Sequence, residues 1–145
     1  MPKGSVEPFN LSLKKFKKAT NAAIPLGTVC VRDESLTPDG WKAAGAAATG
    51  PFVVAVVDLA EVTDAYFTGA QAPSEVMCEC GVGGLQPGAP VKTDASGNVV
   101  LADVTSTTPD DEMTIVGKYL GLEGVSTSDA AVATNIVRIK LQGVA

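Results

Sequence analysis

Three cysteines and one acidic run are the residues of this chain whose types and spacing suit chemistry. Cys78-Glu79-Cys80 places two thiols around a carboxylate, a donor set that zinc accepts. Tetrahedral zinc wants four ligands, however, and only Cys30 and more carboxylates remain to complete it. Side chains alternate along a strand, which puts Cys78 and Cys80 on one face with Val76 and Val82. Free cysteine commonly packs as a small apolar group, so core packing is the preferred reading of all three thiols. Asp110-Asp111-Glu112 lacks the glycine and the spacing of a calcium loop and reads as a solvated turn. Histidine is absent, which removes the commonest general base and metal ligand. Ser-His-Asp and Cys-His arrangements are therefore ruled out within the chain. Gly81-Val82-Gly83-Gly84 resembles a phosphate-binding glycine run only superficially and is not followed by a helix. These residues predict a protein that is not an enzyme, with no metal and no cofactor.

The elements that must carry these residues are strands. From Val76 to Ala102 the chain reads as three short β segments joined by turns. Gly83-Gly84 breaks the first segment. Pro87-Gly88 turns the chain, since proline presets φ and glycine tolerates positive φ. Pro90 to Leu101 reads as a hairpin closed by Asp94-Ala95-Ser96-Gly97. Gly97 is expected at positive φ, and Gly40 with it. Phe52 to Val57 is an unbroken apolar, β-prone run, read as a strand buried on both faces. Residues 58–75 mix helical spacing (Leu59, Val62, Tyr66) with strand formers (Thr63, Tyr66, Phe67, Thr68) and are read as an excursion with at most one short helix. Residues 103–113 form a polar loop and Thr114–Leu120 a strand. The last strand alternates Val137, Ile139 and Leu141 against Arg138 and Lys140, one face packed and one wet.

Three landmarks recur in the same order. Residues 24–33, with Gly27 and Asp33, align without a gap to 85–94, with Gly88 and Asp94. Residues 39–44 resemble 96–102, and Val53-Val54-Ala55 answers Ile115-Val116-Gly117. Two copies are too few for a solenoid and suit two halves of one small barrel or sandwich. The plainer alternative is a chance recurrence of a common way of starting a strand. The expected fold is all-β: a small β-barrel or sandwich of two related halves over 24–145, with an extended N-terminal arm.

At 145 residues with 46% apolar and 5% aromatic content, one domain fits, with a core of Val, Leu, Ile and Ala. No apolar run is long enough to span a bilayer, residues 1–18 lack a secretory apolar region, and three cysteines suit a reducing compartment. Charge is unevenly placed. Residues 1–23 carry five lysines against Glu7, a net of +4; the rest carry 6 basic and 15 acidic groups, a net of −9. An acidic body does not favour nucleic acid, which needs its phosphates neutralised. A membrane surface is weakly served by so short an amphipathic stretch.

The basic arm is either a helical turn capped by Asn10 or an extended segment, and the plainest alternative is a solubilising tail. Its apolar anchors are Phe9, Leu11, Leu13 and Phe16, and its steering charges Lys14, Lys15, Lys17 and Lys18. Residues 24–145 are expected to fold without it.

The segments VMCECGVGG, PGAPVKTDASGNVVLA, IVGKYLG and VRIKLQG, with PFVVAVVDL before them, together resemble the head-decoration, or capsid-cement, proteins of tailed bacteriophages and related viruses. The resemblance covers roughly residues 24–143 and consists of glycine, valine and turn positions. It implies a small β-barrel on the exterior of an icosahedral capsid, commonly a trimer, that braces the shell. The implied partners are a major capsid protein and neighbouring copies of the chain, and the implied location is the virion, after synthesis in the host cytoplasm. A β-barrel module binding a glycan or host surface is the alternative. It needs an exposed aromatic platform drawn from Trp41, Tyr66, Tyr119 and four phenylalanines.

Overall fold

The computed structural model describes residues 3–4, 13–20, 22–33, 35, 40–56, 63–122 and 130–142. It is all-β, with two five-stranded antiparallel sheets as the halves of a sandwich. The first sheet holds β1 (Leu13–Lys17), β2 (Val29–Asp33), β3 (Gly40–Ala43), β4 (Phe52–Ala55) and β5 (Tyr66–Ala70). The second holds β6 (Glu75–Glu79), β7 (Pro90–Thr93), β8 (Val99–Leu101), β9 (Gly117–Leu122) and β10 (Ile136–Leu141). A 3₁₀ turn at Glu112–Thr114 precedes β9, and no α-helix occurs among the described residues.

The strand orders are β1-β5-β4-β2-β3 and β6-β10-β9-β7-β8, the same order displaced by five strands. Each sheet curls until its two outer strands meet in one parallel bridge, Lys18 with Trp41 and Cys80 with Val99. Backbone bonds repeat as well. Gly27 N–H donates to Ala55 O at 2.7 Å, as Gly88 N–H does to Tyr119 O at 3.0 Å. Ala44 donates to Val29 and Ala102 to Pro90, at 2.8 and 3.0 Å. Gly27 and Gly88 both have φ near +80° (77° and 81°), the left-handed turn that glycine adopts without a Cβ penalty.

This register corrects two alignments expected from sequence. Ala55 corresponds to Tyr119 rather than Gly117, a slip of two residues. Such a slip leaves every side chain on the same face and is therefore invisible to a period-2 pattern. Gly40 lies opposite Asp33 and corresponds to Asn98, the partner of Asp94. It has no positive φ; a Cβ there would lie 2.5 Å from Ala19 Cα, so close backbone approach accounts for it. Gly97 does have φ 76°. Its turn is held by Asp94, whose carboxylate accepts from the N–H groups of Ser96 and Asn98 at 2.8 and 3.0 Å. Gly97→Val should cost roughly 1–3 kcal/mol from strain at that φ, with more from contact with Thr28 Cγ2 and Val29 O. An unchanged unfolding midpoint for Gly97→Val would contradict this turn.

Residues 13–18 correct the largest expectation. They contain β1, the first strand of the first half and the counterpart of β6, paired along β5 from Leu13–Ala70 to Lys17–Tyr66. The unit therefore begins before residue 24, and a body of 24–145 is missing one edge strand. Tyr66–Ala70 is strand, which settles the described part of the 58–75 excursion. Thr114 belongs to the 3₁₀ turn, and β9 starts at Gly117. Val82 is 88% exposed, because the strand run ends at Cys80 and Val82 lies in the turn that follows.

Inside the first half, Ile24, Cys30, Val53, Ala55 and Phe67 form one cluster, flanked by Phe16 and Trp41. The matching positions of the second half, among them Leu85, Val91, Tyr119, Val137 and Cys78, belong to the larger core. Bulk is exchanged between equivalents: Ala55 for Tyr119, Phe16 for Cys78. Each interior stays filled, because total volume and patterning matter more than identity. The first half's other face, with Val29, Val31, Phe52, Val54, Val56 and Ala70, is buried in that larger core. Across the junction Gly4 N–H donates to Met77 O at 2.8 Å, Val29 N–H to Gly97 O at 3.0 Å, and Thr93 Oγ1 to Gly45 O at 2.6 Å.

Candidate functional site

The thiols sit where apolar residues sit. Cys78 shares the inward face of β6 with Val76, Cys80 lies just past the end of that strand in the same core, and Cys30 belongs to the first-half cluster; all three are buried. Cys30 Sγ points to Thr28 O at 3.6 Å and Cys80 Sγ to Gly81 O at 3.4 Å. Burial pushes the Cys30 and Cys78 thiols up to about 12. Cys80 is raised as well, first by burial and then by Asp94 and Glu79. A thiolate is the nucleophile and the metal ligand, and these sites disfavour it. Among the described residues no three His, Cys, Asp or Glu side chains are grouped to hold a metal.

The shift has a sign for stability. The folded state holds its thiol protons more tightly than the unfolded chain, whose thiols titrate near 8.5. Stability from this source is complete below that pH and falls as pH rises towards about 12. Replacing Cys30 and Cys78 by alanine should cost about 1 kcal/mol each at neutral pH and flatten the alkaline loss. Urea midpoints measured between pH 7 and pH 10 test this, alongside metal analysis. Stoichiometric zinc, with unfolding on chelation, would overturn the packing reading.

The acidic loop is built to hold itself. Asp103 accepts from the N–H groups of Thr105 and Ser106. Asp110 accepts from Asp103 N–H at 2.7 Å and from Lys92 Nζ at 3.0 Å. Asp111 caps the 3₁₀ turn through Met113 N–H. Hydrogen bonding to Ser106 and Thr105 keeps the Asp103 carboxyl below the usual range, and bonding to Asp103 N–H and then Lys92 does so for Asp110. Asp103 is satisfied from within the loop, and Asp110 by the loop together with Lys92 of β7.

What remains is the basic strand. Phe9 and Leu11 lie outside the described residues. Along β1, Leu13, Lys15 and Lys17 point to one side and Lys14 and Phe16 to the other. Leu13 is 38% exposed, and Lys14, Lys15 and Lys17 are exposed. Tyr66, 56% exposed, is the cross-strand neighbour of Lys17. Phe16 and Lys18 do not join this surface. The Phe16 ring stands edge-on to Trp41 at 5.0 Å and 5.7 Å from Phe67, over Gly69, where a Cβ would meet it at 2.7 Å. Lys18 is buried, and its N–H donates to Ala65 O at 2.9 Å. Phe16 is thus an internal anchor, because β1 has joined the sheet. Sequence reasoning missed Tyr66 as a member of this surface, and only the pairing of β1 with β5 brings it there. Tyr66 is also the one exposed aromatic among the described residues, since Tyr119, Phe67 and Phe52 are buried and Trp41 packs on Phe16. Compared with family models, curated proteins and solved structures, the chain matches none.

Proposed function

We propose that this chain is a structural virion protein that binds the outer surface of an icosahedral capsid and stabilises it. On this reading it is made in the host cytoplasm, acts as a homo-oligomer on the capsid exterior, and has the major capsid protein as its partner. The observation that carries the reading is the exposed basic strand on an acidic body: Leu13, Lys15 and Lys17 on one side beside Tyr66, and Lys14 exposed on the other. Lysines on an edge strand discourage backbone addition by another sheet, so contact runs through the side chains. Leu13 and Tyr66 supply apolar area, and the lysines steer approach to an acidic surface. The aromatic platform that a glycan-binding module needs is reduced to Tyr66 among the described residues, which favours the structural reading.

Charge reversal of Lys14, Lys15 and Lys17 tests the proposal without removing a strand. Exposed pairs contribute only about 0–1 kcal/mol each. The triple variant should melt like the parent yet decorate bare capsids more weakly, with a reduced salt dependence. Equal occupancy of particles by both proteins across salt would sink the basic strand as the contact. Failure of the parent to bind any assembled particle would sink the function.

A further inference from the structure

The internal repeat draws attention to a surface that the first half buries and the second leaves in solvent. In the first half, Val31, Val54, Val56 and Ala70 close against the larger core. By register the same positions in the second half are Lys92, Lys118, Leu120 and Lys140. Leu120 is half-buried, and Lys118 and Lys140 are exposed. Lys118 and Lys140 are direct cross-strand partners, and like charges placed opposite each other destabilise a sheet. A counter-charge stands close by. Lys92 holds Asp110 at 3.0 Å, which draws the acidic loop to the margin of this face with Asp111 and Glu112 exposed. Val104, about half exposed at 49%, lines a shallow depression there with Pro90 and Lys92.

We propose that this face binds a second copy of the chain about a two-fold axis. Lys118 and Lys140 of each copy meet Asp111 and Glu112 of the other, around Leu120 and Val104. A patch with an apolar centre and both signs side by side complements itself under a two-fold rotation, where the same surface serves both partners. An apolar centre with a charged rim is also the ordinary anatomy of an interface. Head-to-tail stacking that repeats the internal junction is disfavoured. At that junction Gly4 and Gly27 sit on the carbonyl of Met77. The equivalent of Met77 in β1, read from the two registers, is Lys15, so such a stack would bring Lys118 and Lys140 towards another lysine.

Sedimentation of the full chain at about 0.05 M and about 0.5 M salt tests this, since screening shortens from more than 10 Å to a few ångströms over that range. The expected species is a dimer whose association weakens about tenfold or more in high salt. Lys118→Glu with Lys140→Glu should be monomeric. So should Asp111→Asn with Glu112→Lys, where asparagine retains the cap on Met113. All four changes together should restore the dimer, because the charges at 118 and 140 turn negative and then face a positive charge at 112. A monomer under all conditions, a trimer, or a dimer indifferent to salt or to the Lys118 and Lys140 changes overturns the proposal. Failure of the fourfold variant to pair, while it melts like the parent, does so too. None of these outcomes depends on capsid binding.

Discussion

A chain starting at residue 24 should melt at least roughly 10 °C below the full-length protein, or fail to fold. The deletion takes away β1, and with it the pairing to β5 from Leu13–Ala70 to Lys17–Tyr66. It also removes the parallel bridge from Lys18 to Trp41 that closes the first half. Phe67, now fully packed, would lose the Phe16 ring at 5.7 Å, and Trp41 would lose its edge contact. The side-chain part can be isolated in the intact chain. Truncating a buried phenylalanine costs about 3–5 kcal/mol; Phe16 is half-buried, so Phe16→Ala should cost about 2–3 kcal/mol. In a domain of this size that lowers the midpoint by about 5–10 °C. Thermal unfolding followed by circular dichroism reads both variants. If the truncated protein melts with the parent, residues 13–18 are a detachable arm after all, and β1 contributes nothing to the body.

Gly117→Val should be the most damaging single substitution at a glycine outside the turns, at about 3–5 kcal/mol or more. β9 lies between β10 and β7 in the second sheet. A Cβ built on Gly117 would stand 2.0 Å from Lys140 O and 2.8 Å from Lys140 C. Those are backbone atoms of the neighbouring strand, so relief requires prising β9 from β10 rather than rotating a side chain. Even Gly117→Ala carries this clash. Gly45→Ala is the control: nothing lies within 4 Å of a Cβ there, and the change should be neutral within about 0.5 kcal/mol. Equilibrium unfolding in urea of the three proteins compares them directly. A Gly117→Val protein as stable as the Gly45 control would refute the close approach of β9 and β10.

The two predictions fall on opposite sides of what could be read from residues alone. The sequence by itself determined the fold class, the hairpin from Pro90 to Leu101, the half-wet last strand, and the burial of all three cysteines. Each depends on local alternation or on turn chemistry, which a short window contains. It also determined that the chain has two related halves, because glycine at a left-handed turn is hard to replace, and Gly27 and Gly88 mark that turn in both. Only the tertiary structure decided the fate of residues 13–18. A strand with one inward apolar residue, Phe16, among lysines looks the same whether it is free or paired; its partner lies about 50 positions away, in a segment that itself mixed helix and strand signals. Register was settled there too, since a two-residue slip preserves every face and only backbone bonds distinguish Ala55–Tyr119 from its neighbours. The unequal faces of the two halves have the same origin. Val54 and Lys118 occupy one position of one architecture, and which of them is covered depends on which half has the other packed against it.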